Sequence, residues 1–371
     1  MKQFQVNKKE LSKYRVVQSE DLPLTQAGVT FEVERFAFTA NNLTYFMMGD
    51  KLGYWQFFPP INSHSTKNNN EENWGVIPVW GIGKVTASSV EGVDVGSRYF
   101  GYFPPATHLH MDSVTFAQNN LIDTSAHRRP LPQGYNLYRP LDSHADEMQT
   151  HRESLQMLLW PLYITSYCLW DLIDQCNMPK PKQVILLSAS SKTSLGLAYA
   201  LRKDDYHVVG VTSGKSQKFV EGLDVYHQVV CYDNLDDIAS KSSIVVDMSG
   251  NNKIKLRLKN RLGDDLMRYV QVGLTHWQDA KADEASSNTL ETSDKEDEFF
   301  FAPAHIQTRM AELGASVFHA RSGAFVKEAM MWTASWLTVK NQRSIDSLAS
   351  DFESICNGLV PASEGLVYSP Q

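Results

Sequence analysis

The densest group of chemically capable side chains lies between Ser188 and Ser194. Ser188, Ser190, Ser191, Lys192, Thr193 and Ser194 place five hydroxyls and one ammonium in seven consecutive residues. Hydroxyls and backbone N–H groups both donate hydrogen bonds, and a small-residue turn can present several of them to one anion. The chemistry on offer is the holding of a phosphate. The alternative is a packed turn whose hydroxyls satisfy one another. A second donor group follows at Ser213, Lys215 and Lys218, in the run VTSGKSQK.

The flanking sequence says what positions these groups. Val184 to Leu187 is a continuous apolar run, as in a strand buried on both faces. Leu195 to Lys203 has helical apolar spacing, and His207 to Val211 is a second apolar run. Strand, turn, helix, strand is half of a doubly wound nucleotide-binding fold, with the turn where a dinucleotide pyrophosphate lies. Further parallel strands are predicted at 228–231, 243–247 and 269–274, with helical segments at 216–222 and 235–240. Ligands of such sheets collect at the C-terminal strand ends. That edge adds Ser249 and Gly273 as cofactor contacts, and His276 and Trp277 as substrate contacts.

A dinucleotide site selective for NAD usually has an acidic residue after the second strand, to bind the ribose 2′-hydroxyl. None follows Val211 here. Ser213, Lys215 and Lys218 suit a 2′-phosphate instead, so the expected cofactor is NADP(H). The alternative is an ordinary solvated basic turn.

Residues 29–102 alternate polar and apolar positions in short runs between turns, which predicts a small barrel. Ala40 to Met48 reads as one or two helical turns, and Ser63 to Asn73 as a polar flexible segment. Arg152 to Met178 reads as one long helix, and Ala324 to Val339 as another. The expected domains are residues 1–150, completed by about 310–371, and residues 151–309. Asp279 to Glu298 is acidic and nearly free of apolar residues, as in an exposed loop.

At 371 residues, with 42% hydrophobic and 21% charged residues, the chain can bury two cores. A net charge of -7 argues against nucleic acid and anionic membranes as partners. The apolar run Met157 to Trp170 falls short of the ~20 residues of a spanning helix, and Pro161 interrupts it. The N-terminus has no apolar signal core and the four cysteines are scattered, so a cytoplasmic location is expected. His108 and His110 share one face of a strand but lack a third partner for a metal.

Several segments together resemble medium-chain dehydrogenases/reductases of the zinc-independent, quinone-oxidoreductase-like kind. These are FEVERFAFTANNLTYFMMG, VGSRYFGY, VILLSASSKTSLGLA, VVGVTSGKSQK, IVVDMSGN and VQVGL, in that order. The stretch from Pro130 to Asp171 resembles a bacterial branch of that superfamily, a family of unknown function. The resemblance implies a Rossmann-type doubly wound parallel sheet plus a GroES-like β-barrel catalytic domain, an α/β protein. The three glycines of the family's turn fall on Ser188, Ser191 and Ser194, unless Gly196 is the third and the loop is longer. Zinc-dependent members have a Cys where Ala40-Asn41-Asn42 stands, and a His-Glu where Pro78-Val79-Trp80-Gly81 stands, so no metal is expected.

The resemblance also implies roles for single residues. Tyr45 matches the family's tyrosine and could protonate an enolate or donate to a carbonyl oxygen. Asn41 or Asn42 falls near its asparagine and could polarise a carbonyl. For all three, capping or packing is the alternative. Thr165 lies where the linking helix passes the nicotinamide, though its hydroxyl could simply bond back along the helix. Tyr54 and Trp277 suggest an apolar or aromatic small-molecule substrate. The implied activity is hydride transfer to an activated C=C or quinone-type carbonyl, and the implied assembly is a homodimer. A catalytically silent ligand- or nucleotide-binding protein is the alternative, and an acyl-CoA-linked reductase is a third reading.

Overall fold

The computed structural model describes residues 1–20, 23–62, 71–176, 179–272 and 297–371. Gly273, His276 and Trp277 lie outside the described residues. So do 63–70 of the polar segment and 279–296 of the acidic one. The chain divides into two compact units, Met1–Leu158 with Leu337–Gln371, and Leu159–Trp336. The first division falls inside a helix and not before it, because Glu147–Asp174 runs on unbroken through Pro161. The second falls at 336/337. The segment around residue 310 therefore belongs to the second unit.

In the first unit the strands are β1 (Lys2–Asn7), β2 (Glu10–Gln18), β3 (Val29–Ala37), β4 (Trp74–Gly75), β5 (Val79–Ser88), β6 (Arg98–Phe103), β7 (His108–Met111), β8 (Val114–Ala117), β9 (Asn120–Asp123) and β10 (Leu137–Leu141). The short helix α1 (Asn41–Met47) follows β3, and α2 (Glu147–Asp174) leads out of the unit. β2, β1 and β4 make a small sheet. A nine-stranded sheet runs β17-β18-β3-β5-β6-β10-β9-β8, with β7 on β3, where β17 is Thr338–Arg343 and β18 is Glu364–Ser369. β5 is buried from Val79 to Gly83 and alternates after it, and β6 is buried at every position. Arg98 is tolerated there because Glu153, fully buried, accepts two of its N–H groups at 2.9 and 3.0 Å, and Glu34 a third. Buried charges persist only when paired in this way.

The second unit holds β11 (Gln183–Leu187), α3 (Lys192–Lys203), β12 (Val208–Thr212), α4 (Gly214–Gly222), β13 (Gln228–Cys231), β14 (Ser243–Asp247), α5 (Asn252–Leu262), β15 (Leu266–Gln271) and β16 (Asp297–Phe299). All are parallel, in the order β13-β12-β11-β14-β15-β16. This is the doubly wound order of a dinucleotide-binding sheet, with the reversal beside β11. β11, β12 and β14 are buried at every position, as their apolar runs require. The helical segment predicted at 235–240 is a 3-10 turn over Tyr232–Asp237. Two helices close the unit, α6 (Ala302–Leu313) and α7 (Ala315–Thr333). The helix read through Val339 stops at Thr333, because β-branched Thr338 and Val339 pair with Glu364 and Gly365 in β17–β18.

Candidate functional site

The serine turn sits at the C-terminal end of β11. Ser188 has φ of 51°. That left-handed conformation favours glycine and costs a residue with a Cβ about 1–2 kcal/mol. The backbone thus keeps a glycine-type bend although the residue is serine. Two tyrosines pin it: Tyr232 Oη accepts from the Ser188 N–H at 2.9 Å, and Tyr226 Oη donates to the Ala189 carbonyl at 2.9 Å. Sequence reading singled out neither tyrosine.

Ser191 is the N-cap of α3, its Oγ accepting from the Ser194 N–H at 3.2 Å. Ser194 is fully buried and donates to the Leu187 carbonyl at 3.0 Å. Its side chain is a structural tie of the turn and drops out as a ligand contact. Ser190, Lys192 and Thr193 are half-buried at the head of α3, where the first N–H groups have no intrahelical acceptor. Burial pulls the Lys192 ammonium down to about 8. Gly196 lies one turn further on. A Cβ there would stand 2.6 Å from the Tyr163 ring and 2.8 Å from Ser166 Oγ. It is the close-packing glycine of this turn, set against α2.

At the end of β12, Ser213 precedes α4 with its hydroxyl in no cap bond. Ser213, Lys215 and Lys218 are exposed, and no hydrogen bond or ion pair engages their side chains among the described residues. At the end of β14 the Ser249 hydroxyl, wholly buried, donates to Asp247 Oδ1 at 2.7 Å. Asp247 also takes the N–H groups of Ser249 and Gly250 and the Tyr269 hydroxyl. Ser249 therefore shapes the strand end and presents no hydroxyl to a ligand. Thr165 donates back to the Pro161 carbonyl at 2.9 Å, the within-helix bond that was its alternative.

In the first unit, α1 carries Asn41, Asn42 and Tyr45. Asn42 is buried, and both ends of its amide are hydrogen-bonded. Its Oδ1 accepts from the Thr39 N–H at 2.8 Å, and its Nδ2 donates to the Pro78 carbonyl at 2.8 Å. It pins α1 to the segment before β5, which is the packing role that was its alternative. Asn41 is half-buried and donates to Tyr45 Oη at 3.3 Å. Tyr45 lies in a nest of rings, 4.6 Å from Tyr54 and 5.7 Å from Tyr102. Tyr54 shares a 3.2 Å hydrogen bond with Tyr135 Oη. Desolvation raises the ionisation of Tyr45, Tyr54, Tyr102 and Tyr135, so all four stay protonated donors near neutrality. His110 Nδ1 is 2.9 Å from Thr30 Oγ1, and His108 Nδ1 is 3.0 Å from Thr107 Oγ1. Among the described residues, no three His, Cys, Asp or Glu side chains group as metal ligands do.

Residues 36–361 match the family model described as a protein of unknown function, DUF2855. The chain belongs to that family. No curated sequence is significantly similar to it. Among solved structures, this DUF2855 member is similar to CurA from Vibrio vulnificus in complex with NADPH, with a TM-score of 0.62 at 11% identity over 100% of this chain and 99% of that one. It is similar to the quinone oxidoreductase from Coxiella burnetii, with a TM-score of 0.56 at 13% identity over 100% and 99%. A mutant form of enoyl thioester reductase from Candida tropicalis gives 0.57 at 10% identity over 100% of both chains. Likeness at such identity establishes the fold, a Rossmann-type domain with a GroES-like domain as in medium-chain reductases. Fold alone does not fix chemistry.

Proposed function

We propose that this chain is an oxidoreductase that uses NADP(H), without zinc, to reduce an activated C=C or a quinone-type carbonyl of a small apolar substrate. The observation that carries it is the end of β12: three exposed donors and no carboxylate, where a dinucleotide presents its ribose 2′ position. The glycine-type φ of Ser188, a bend of the kind such a cofactor needs before α3, supports this reading. CurA, which shares the fold, is described in complex with NADPH.

When bound, NADPH supplies a hydride to an electron-poor carbon. The remaining tasks fall to side chains. Ser190, Lys192, Thr193 and the head of α3 would hold the pyrophosphate. Ser213, Lys215 and Lys218 would hold the 2′-phosphate. Tyr45, kept protonated by burial and aligned by Asn41, would donate to the substrate oxygen and deliver its proton there. Zinc independence is supported by the resemblance, in which Ala40-Asn41-Asn42 and Pro78-Val79-Trp80-Gly81 fall where zinc-dependent members carry a Cys and a His-Glu. No described helix is long and apolar enough to cross a membrane. A cytoplasmic homodimer acting on a small molecule, with no nucleic-acid partner, is part of this proposal.

The test is calorimetric titration of cofactor-stripped protein with NADPH and with NADH. The expected result is micromolar binding of NADPH and at least tenfold weaker binding of NADH, with that gap closed in the Lys215→Ala/Lys218→Ala variant. Absence of binding by either dinucleotide would overturn the proposal and leave the silent ligand-binding reading in its place.

A further inference from the structure

The ring nest around Tyr45 has more hydrogen-bond donors than acceptors. Trp80 Nε1 and Tyr102 Oη are buried, with 6% and 0% of each residue exposed, and neither has a hydrogen-bond partner. Both lie close enough to the Tyr45 hydroxyl to favour its ionised form, yet neither reaches hydrogen-bonding geometry with it. Asn41 Nδ2 donates to the same hydroxyl from the half-buried rim. Four N–H or O–H groups thus converge near one point, and no carbonyl or carboxylate among the described residues accepts from Trp80 or Tyr102. A buried unpaired donor costs about 1–3 kcal/mol, and two neighbouring ones are rare in a native fold. Such a group asks for an acceptor oxygen from outside the chain.

We propose that Trp80 and Tyr102, with Tyr45 and Asn41, form an oxyanion site that receives the oxygen of a planar conjugated carbonyl, Trp80 Nε1–H and Tyr102 Oη–H donating to it directly. The proposal rests on the reading of the chain as a carbonyl-directed reductase and names the substrate feature it recognises. When such a substrate gains hydride at carbon, its π electrons move to oxygen, which stays negative until it takes a proton. Preorganised donors at that oxygen stabilise the charge as it develops. Trp80 is the informative residue. Its indole offers an N–H donor and no acceptor.

The site can be probed without cofactor or turnover. 4-Nitrophenol is planar and ionises to an oxyanion that is read by absorbance. The wild-type protein is expected to bind the phenolate and to lower the pH at which the bound phenol ionises. Nitrobenzene, which lacks that oxygen, serves as the control. Tyr102→Phe and Trp80→Phe should each weaken phenolate binding about tenfold and leave nitrobenzene binding unchanged. Tyr102→Phe should also leave the thermal midpoint of the ligand-free protein equal or higher, because a buried unpaired hydroxyl is removed. A lowered midpoint in Tyr102→Phe with unchanged phenolate affinity would mean the hydroxyl serves the fold, and would overturn the proposal. So would a wild-type protein that ignores the phenolate. Phenolate binding through Trp80 and Tyr102 in a protein that ignores NADPH would keep this site and remove the reductase reading.

Discussion

A serine held at φ of 51° and a lysine beside it carry most of the argument for a phosphate at the head of α3. The left-handed bend is retained because Tyr232 and Tyr226 hold it by hydrogen bonds to Ser188 and Ala189, each contributing about 0.5–1.5 kcal/mol against a strain of similar size. Lys192 adds a testable pH dependence. Burial disfavours its charged form and lowers its ionisation to about 8. The ammonium form attracts phosphate, so affinity for NADPH should be full at pH 7 and fall as the lysine loses its proton on rising above 8. About one-tenth of the lysines stay charged one pH unit above that value, which bounds the loss at about tenfold by pH 9. Titration calorimetry between pH 7 and 9.5 reads this directly. In Lys192→Met the affinity should be lower at pH 7 and flat across the range; a wild-type profile that is itself flat would remove Lys192 from the site.

At the scale of elements, the approach of α2 to α3 sets where the turn lies. Gly196 permits that approach, and Tyr163 cannot swing aside because its hydroxyl is bonded to Thr333. Gly196→Ala gains about 1 kcal/mol in helix propensity. It also puts a methyl 2.6 Å from the Tyr163 ring, and overpacking of that kind costs about 1–3 kcal/mol. The clash should win, with a net loss of up to about 2 kcal/mol in urea unfolding; a gain in stability would show that α2 yields. These elements were legible in sequence for physical reasons. Apolar runs such as Val184–Leu187 and Val208–Val211 bury both faces and leave little alternative to a parallel sheet. Small residues at 194–200 announce a tight helix. Pairing across the sequence was not legible. Thr338–Val339 looks helical beside Trp332 and Trp336, and only its partner strand Glu364–Ser369 makes it β. The same limit hid Tyr232, Trp80 and Tyr102, whose roles come from contacts 44, 35 and 57 residues distant in sequence, with Ser188 and Tyr45. Asn42 shows the converse. Its type suggested chemistry, and its two bonds to Thr39 and Pro78 give it a structural role.

At the scale of the whole molecule, the chain carries a formal charge of -7, and the proposed cofactor is itself an anion. Long-range repulsion and local attraction therefore compete. A unit charge about 20 Å away in water contributes about 0.2 kcal/mol before screening, and at physiological salt the Debye length of about 8 Å removes most of that. A lysine about 4 Å from a phosphate contributes about 1 kcal/mol in water and is screened far less. The local term should win, and the sign of the salt effect tells which one does. NADPH and NADH differ only by the 2′-phosphate, so the ratio of their affinities isolates the turn at Ser213, Lys215 and Lys218. If these lysines dominate, raising salt from 50 to 500 mM (~ranges bracketing Debye lengths of about 14 to 4 Å) should shrink the NADPH preference several-fold. If overall repulsion dominates, salt should enlarge it. Lys215→Ala/Lys218→Ala should abolish the salt dependence of the ratio in the first case and leave it in the second. Calorimetry at four salt concentrations separates the two. A preference that grows with salt would place 2′-phosphate recognition somewhere other than the end of β12.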